Sequence, residues 1–405
     1  MQELDSIFQD DDYLKRKELN RISIAFILFC ICDSYFSSVI HVKFINFVPR
    51  SPASIYIGAS VISFLVCGFI FDFFNRNKKL LISAILFYFI CCTITLITLL
   101  TKGFVKENWL FDYVLLFSRS GIYIGFIGVL LSLKTKNEFY LKLVIFLNAL
   151  QLFIAQFGYF VFYFLNPEDT GLVLAIAMLL LLVVALFLIG IKNNFSAFII
   201  QPISIKIKKK ETIYIILNLL LISLFLLFYQ SIDSNKFIIL ASGTSTHFEL
   251  YINWLIFFSP LLFSIVLLVI PINLSAKKLL FVSSSILLFA VSMIYWNSNS
   301  TANKDGTGVN IYYYFSMLVV SGELLIFAFL TQLYRIAPRK YISFYCALIN
   351  SPYLVYKVGI LVFPNLTNFV LSKFWFGVVI GIFIVVSAVL FILHTKLNKV
   401  EKALD

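Results

Sequence analysis

Charge is what this sequence has least of. Asp, Glu, Lys and Arg make up 13% of the 405 residues, about half of the ~25% found in an ordinary soluble domain. A chain that solvates its whole surface with ions is excluded. Histidine is scarcer still: only His41, His247 and His394 occur, each at the edge of an apolar stretch or in a loop. No nucleophile, base and orienter set can be assembled from them, so the chain is not expected to be an enzyme. No glycine-rich phosphate loop is present, which argues against ATP as an energy source. The six cysteines, Cys30, Cys32, Cys67, Cys91, Cys92 and Cys346, all lie in apolar stretches with no accompanying histidines. They read as small hydrophobes, and neither a metal nor another bound cofactor is expected.

Apolar side chains fill the space that charge leaves. At 61% hydrophobic residues, the chain exceeds the ~45–50% of soluble domains. Twelve stretches carry them, near 21–43, 52–72, 79–101, 108–133, 139–165, 171–191, 212–236, 251–272, 277–297, 311–334, 341–363 and 369–395. Each approaches or exceeds the ~20 residues that a helix needs to cross a ~30 Å hydrocarbon layer. The backbone must satisfy its own hydrogen bonds there, and no barrel alternation is visible, so every span is expected to be helical. Basic residues sort by side. The N-terminus, the even-numbered connections and the C-terminus hold 23 of the 32 Lys and Arg residues, and the opposite loops hold seven. Basic loops stay cytoplasmic, so both termini are expected inside. The net charge of +12 is then accounted for by topology and anionic headgroups, and no nucleic acid is needed as a partner.

The longest polar interruption after the N-terminus is 192–211, which contains Lys206, Lys208, Lys209 and Lys210. It divides the chain into an N-terminal six-helix bundle over 1–191, a basic cytoplasmic linker over 192–211, and a C-terminal six-helix bundle over 212–405. Halves of such similar length suggest two bundles related by a repeat. The acidic start before a long first span does not resemble a cleavable signal, so that segment is expected to be retained. Gly121, Gly125 and Gly128 form a small face at helical spacing in the fourth span, best suited to close helix packing.

Four charges fall inside spans: Asp33, Arg119, Glu323 and Lys357. Each costs at least ~2.5–3.5 kcal/mol at bilayer depth, so it is expected to be paired or to face water. At 1.5 Å per residue, Asp33 lies ~18 Å and Arg119 ~21 Å from the cytoplasmic ends of their helices, close enough to meet. Glu323 and Lys357 come out at ~17 Å and ~24 Å, within reach of a flexible Lys stem. Both pairs read either as clamps between helices or as groups that bind substrate or carry protons. Asp72 sits at the cytoplasmic end of the second span beside Arg76 and suits a gate better than a binding site.

Gly68-Phe69-Ile70-Phe71-Asp72, followed by Arg76, resembles the loop signature of the major facilitator superfamily, with Asn75 in place of a glycine. Ser321-Gly322-Glu323-Leu324-Leu325, continuing to Ala337-Pro338-Arg339-Lys340, resembles the tenth helix of the proton-coupled oligopeptide transporter family. Tyr251-Ile252-Asn253-Trp254 with Ser259-Pro260-Leu261 resembles its eighth helix, and the run from Gly171 to Gly190 its sixth. The resemblance covers most of the chain in order. It implies an all-α membrane protein of twelve helices in the major facilitator fold that imports small peptides or related amino compounds with protons. The proton gradient would then be the energy source. It also implies that Glu323 and Asn253 receive an amino group, with Gln230, Tyr229, Asn148 and Tyr35 at substrate-facing positions, and that Gly68, Asp72 and Arg76 form a cytoplasmic gate.

The departures are specific. The family's acidic and basic signature in the first helix is replaced by Cys30-Ile31-Cys32-Asp33-Ser34-Tyr35-Phe36, the lysine of its fourth helix is missing near Gly128-Val129, and the acid of its seventh helix is Tyr229. Asp33 and Arg119 offer the same chemistry from other positions. The expectation is a monomer in a lipid bilayer, in a bacterial inner membrane, acting on a peptide or another small molecule. A transporter or exporter of a different small solute, or a membrane sensor that does not transport, remains the alternative.

Overall fold

The computed structural model describes residues 18–36, 53–74, 78–100, 109–132, 170–191, 209–234, 276–299, 309–336, 341–348 and 373–401, with scattered residues in 142–154 and 258–269 and at 351–352. The helices are α1 (Glu18–Phe36), α2 (Ala53–Phe73), α3 (Lys78–Leu100), α4 (Trp109–Ser132), α5 (Thr170–Ile189), α6 (Lys209–Ser234), α7 (Ala276–Asn299), α8 (Val309–Ile336), the short α9 (Ile342–Ala347) and α10 (Lys373–Glu401). Among the described residues, six of these helices are long and apolar enough to cross a membrane. Most of the expected fifth, eighth and eleventh spans lies outside the described residues.

The chain forms two compact units. One comprises Met1–Pro202 with Arg339–Cys346, and the other Ile203–Pro338 with Ala347–Asp405. The division at Pro202 falls inside the expected linker, whereas the inclusion of 339–346 in the first unit departs from a cut into two continuous halves. A buried carboxylate is the physical reason. Asp72, at the end of α2, accepts hydrogen bonds from the backbone N–H groups of Ser343 (3.2 Å) and Phe344 (2.7 Å). Amides in the first turn of a helix have no partner within it, and this side chain from α2 supplies one for α9. Glycine permits the approach: a Cβ at Gly68 would lie 2.9 Å from the carbonyl oxygen of Ser343, and one at Gly128 would collide with the Ser343 hydroxyl.

Within the first unit, α4 packs against α2 and α3, and α3 against α5. The small face of α4 is a packing face, because a Cβ at Gly125 would come within 2.7 Å of the Phe71 ring and one at Gly121 within 3.4 Å of Cys67 Sγ. The Ser63 and Ser120 hydroxyls meet at 2.7 Å and fix the rotation of α4 on α2. At one end, Arg21 donates to the carbonyl of Gly190 (2.6 Å) and Lys78 to that of Ile191 (2.5 Å). Cations thus occupy the carbonyl end of α5, where the helix dipole favours them. The starts of α1 and α3 and the finish of α5 share this end, as spans one, three and six must if crossings alternate.

In the second unit, α8 packs against α7 and α6, and α10 against both α6 and α7. The Phe225 ring of α6 lies directly on Gly322 of α8, leaving no room for a side chain there. Outer faces are apolar in both units. Along α5, Leu172, Ile176, Leu179 and Leu186 are exposed while Leu174, Ala177, Leu181, Val184 and Leu188 are buried. A helix apolar on every side suits lipid on one face and protein on the other.

Candidate functional site

Asp33 stands at the centre of the first unit, fully buried on α1. Three donors converge on it. Tyr88 on α3 donates its hydroxyl to Oδ1 at 2.6 Å, Tyr123 on α4 donates to Oδ2 at 2.8 Å, and the guanidinium of Arg119, also on α4, lies 2.7 Å from Oδ2. The two charges that the sequence placed at similar depths therefore meet. Hydrogen bonds to an ionised acceptor are shorter and about twice as strong as neutral ones, so this constellation ties three helices together around one anion.

The local sequence explains the arrangement. Phe26, Phe29, Asp33 and Phe36 recur at three- and four-residue spacing and so share one face of α1, and all four are buried. Phe29 packs edge-on against Tyr88 (5.7 Å between centroids) and Tyr123 (5.0 Å), and Phe36 against Tyr88 (5.6 Å). The rings hold the hydroxyls where the carboxylate needs them. Arg119 and Tyr123 are four residues apart, one turn of α4, and the guanidinium lies 5.8 Å from the Tyr123 centroid. Ser34, next to Asp33, donates to the carbonyl of Ile154 (2.8 Å). Tyr35 lies on α1 and is half-buried.

Glu323 is placed quite differently. It follows Gly322 in the middle of α8, in the second unit, and its Oε2 is buried with no hydrogen-bond partner among the described residues. The expected partner, Lys357, lies outside the described residues, as do Asn253, Asn148 and Arg76. Tyr229 and Gln230 fall near the end of α6, with their side chains outside the described set. Of the expected gate residues, Gly68 and Asp72 come together against α9. Tyr88, Tyr123 and Ser343 were missed by sequence reasoning. Tyr123 carries a usable signal in its one-turn spacing from Arg119, and Tyr88 lies at ~15 Å along α3, close to the depth of Asp33. Nothing local marks Ser343.

Solved structures of similar architecture cover nearly the whole chain. The proton:xylose symporter XylE of the major facilitator superfamily, bound to 6-bromo-6-deoxy-D-glucose, matches with a TM-score of 0.61 and 15% identity, over 94% of this chain and 96% of that one. The chain has the major facilitator fold. The human organic anion transporter MFSD10 (TETRAN) matches with a TM-score of 0.60 and 12% identity, over 92% of this chain and 99% of that one. A bacterial homologue of the iron transporter ferroportin in an outward-facing state matches with a TM-score of 0.57 and 13% identity, over 94% and 99%. No protein-family model and no curated protein matches the chain by sequence. Apolar helices together with this fold make the chain an integral membrane protein.

Proposed function

We propose that the protein is a secondary active transporter that imports small peptides, or related amino compounds, together with protons by alternating access. The observation that carries this reading is Glu323. A carboxylate at bilayer depth whose buried Oε2 has no partner among the described residues needs compensation from outside the helix, and a proton or an ammonium group supplies it. Both are cargo in the proposed reaction. Asn253, Gln230 and Tyr229 would contact solute from the C-terminal half, and Tyr35 and Asn148 from the N-terminal half. Gly68 and Asp72, joined by Arg76, would act as the cytoplasmic gate, since the Asp72 carboxylate holds α9 by two backbone amides. The setting would be a bacterial inner membrane and the working form a monomer.

The test is uptake of a labelled dipeptide into liposomes driven by a pH gradient, comparing the unmodified protein with Glu323→Gln. Uptake that collapses in the variant supports both the coupling role and the amino-group role. A folded protein that transports neither the dipeptide nor a free amino acid removes the peptide reading. A second reading, transport or export of another small solute, is favoured by the replaced residues in the first, fourth and seventh spans. Counterflow with sugars and organic anions separates it from a sensor that binds without transporting.

A further inference from the structure

We propose that the shared end of α1, α3 and α5 is a binding site for an anionic phospholipid, with Arg21 and Lys78 receiving the phosphate and the exposed faces of α3 and α5 carrying the acyl chains. The site requires only that the protein spans a bilayer, so it stands or falls apart from the solute reading above.

Three helices bring their cations to one place. Arg21, near the start of α1, reaches the carbonyl of Gly190 at 2.6 Å, and Lys78, the first residue of α3, reaches those of Ile191 at 2.5 Å and Ile189 at 3.5 Å. Both side chains are drawn to the same short stretch at the finish of α5. Pairing with the helix dipole does not account for them fully, because the carbonyl end of a helix is worth about half a negative charge and meets two full positive ones. Lys79, exposed beside Lys78, adds a third, and Glu18 is the one acid among the described residues of these three helix ends. The charge left over is positive, on the side that the basic loops assign to the cytoplasm.

The bonds to the carbonyls also fix where that charge sits. Arg21 gives Gly190 one nitrogen of a planar fork that carries five N–H donors, and the ammonium of Lys78 carries three. A guanidinium matches a phosphate with two parallel bonds, and one already held by backbone loses little freedom on binding.

Beyond the cations the surface turns apolar. On α3, Lys79, Leu86, Ile90 and Ile97 recur at intervals of seven, four and seven residues and so share one face, and all are exposed. On α5, which packs against α3, Leu186 and Ile189 are exposed at the same end as the cations. One leaflet is ~15 Å of hydrocarbon, or ~10 residues of helix, which reaches from Lys79 to about Ile90. A charged head on an apolar stripe of that length fits a phospholipid. A soluble phosphate or an acidic peptide would leave the stripe uncovered, so the ligand is assigned to the membrane.

Full-length protein in a mild detergent would be mixed with equimolar phosphatidylglycerol and phosphatidylcholine of identical chains, and bound lipid read by native mass spectrometry. A cation near the surface favours an anionic lipid roughly fivefold, so two should give a preference of about thirtyfold. Arg21→Gln/Lys78→Gln should cut the preference to about fivefold or less, the share left to Lys79. Lys277→Gln/Lys278→Gln, which removes two lysines from the start of α7, should leave it unchanged. Equal affinity of the unmodified protein for the two lipids overturns the proposal. So does an equal loss in the two double variants, since the attraction would then belong to basic surface in general. Glycerol 3-phosphate, the head without the chains, should not displace phosphatidylglycerol at equal concentration, and displacement would overturn the assignment to lipid.

Arg21→Gln/Lys78→Gln also loses two ties to α5, so a measurement on the unmodified protein accompanies it. In nanodiscs, acetylation of Lys78 and Lys79 by a water-soluble succinimidyl ester should slow severalfold when phosphatidylglycerol replaces phosphatidylcholine, read by peptide mass spectrometry. Lys278, exposed at the start of α7, is the internal reference for the general effect of a charged bilayer. Slowing at Lys78 and Lys79 no greater than at Lys278 overturns the site.

Discussion

Asp33 and Glu323 carry the same functional group at comparable depth, and the two units treat them in opposite ways. The first unit closes three helices around Asp33, satisfying both oxygens with Tyr88, Tyr123 and Arg119. In the second unit, Oε2 of Glu323 is buried without a partner among the described residues. Burial alone therefore does not define a functional carboxylate. An acid whose valences are met from within is part of the scaffold, and one whose valences are unmet implies something that comes and goes.

The comparison breaks first at Asp33. Replacing it with Asn removes the carboxylate that lies 2.7 Å from Arg119, and removing one partner of a buried pair costs about 3 kcal/mol, the low end of the usual range because Arg119 reaches water. Thermal unfolding in nanodiscs should show the loss, and the Asp33→Asn/Arg119→Gln double variant should recover part of it. Tyr88→Phe and Tyr123→Phe each delete one donor to the anion and should cost about 1.5–2 kcal/mol by the same measurement. Gly128→Ala, which drives a methyl group into the Ser343 hydroxyl, should cost about 1–2 kcal/mol through overpacking. Glu323 should respond with the other sign. Glu323→Gln or Glu323→Leu removes a carboxyl whose buried Oε2 has no partner among the described residues and is expected to raise stability by about 1 kcal/mol while abolishing driven uptake. A melting temperature that falls in both Glu323 variants would mean that Glu323 is scaffold as well. Ser63→Ala, which breaks one hydroxyl pair away from either carboxylate, should cost only about 0.6 kcal/mol.

The pairing of Asp33 with Arg119 was legible because charge is rare in such a chain and the helical rise converts position into depth. The tyrosines were not, since 18% of the residues are aromatic and most of them fill space. A phenolic hydroxyl declares itself only when its depth and face are compared with those of a charge. Gly121, Gly125 and Gly128 were readable as a packing face, yet nothing in the fourth span names Phe71 or Ser343 as what packs there. The attachment of 339–346 to the first unit was invisible for the same reason. It depends on one carboxylate meeting backbone amides 271 and 272 positions away, and backbone amides leave no trace in a sequence.

The row of exposed leucines along α5, Leu172, Leu179 and Leu186, makes the surrounding amphiphile a thermodynamic component of the folded state. Whatever coats that row acts as a ligand of the native protein and enters its stability by mass action. Acyl chains too short to cover a ~30 Å layer should lower the melting temperature of every variant alike, so differences between variants carry meaning only within one amphiphile.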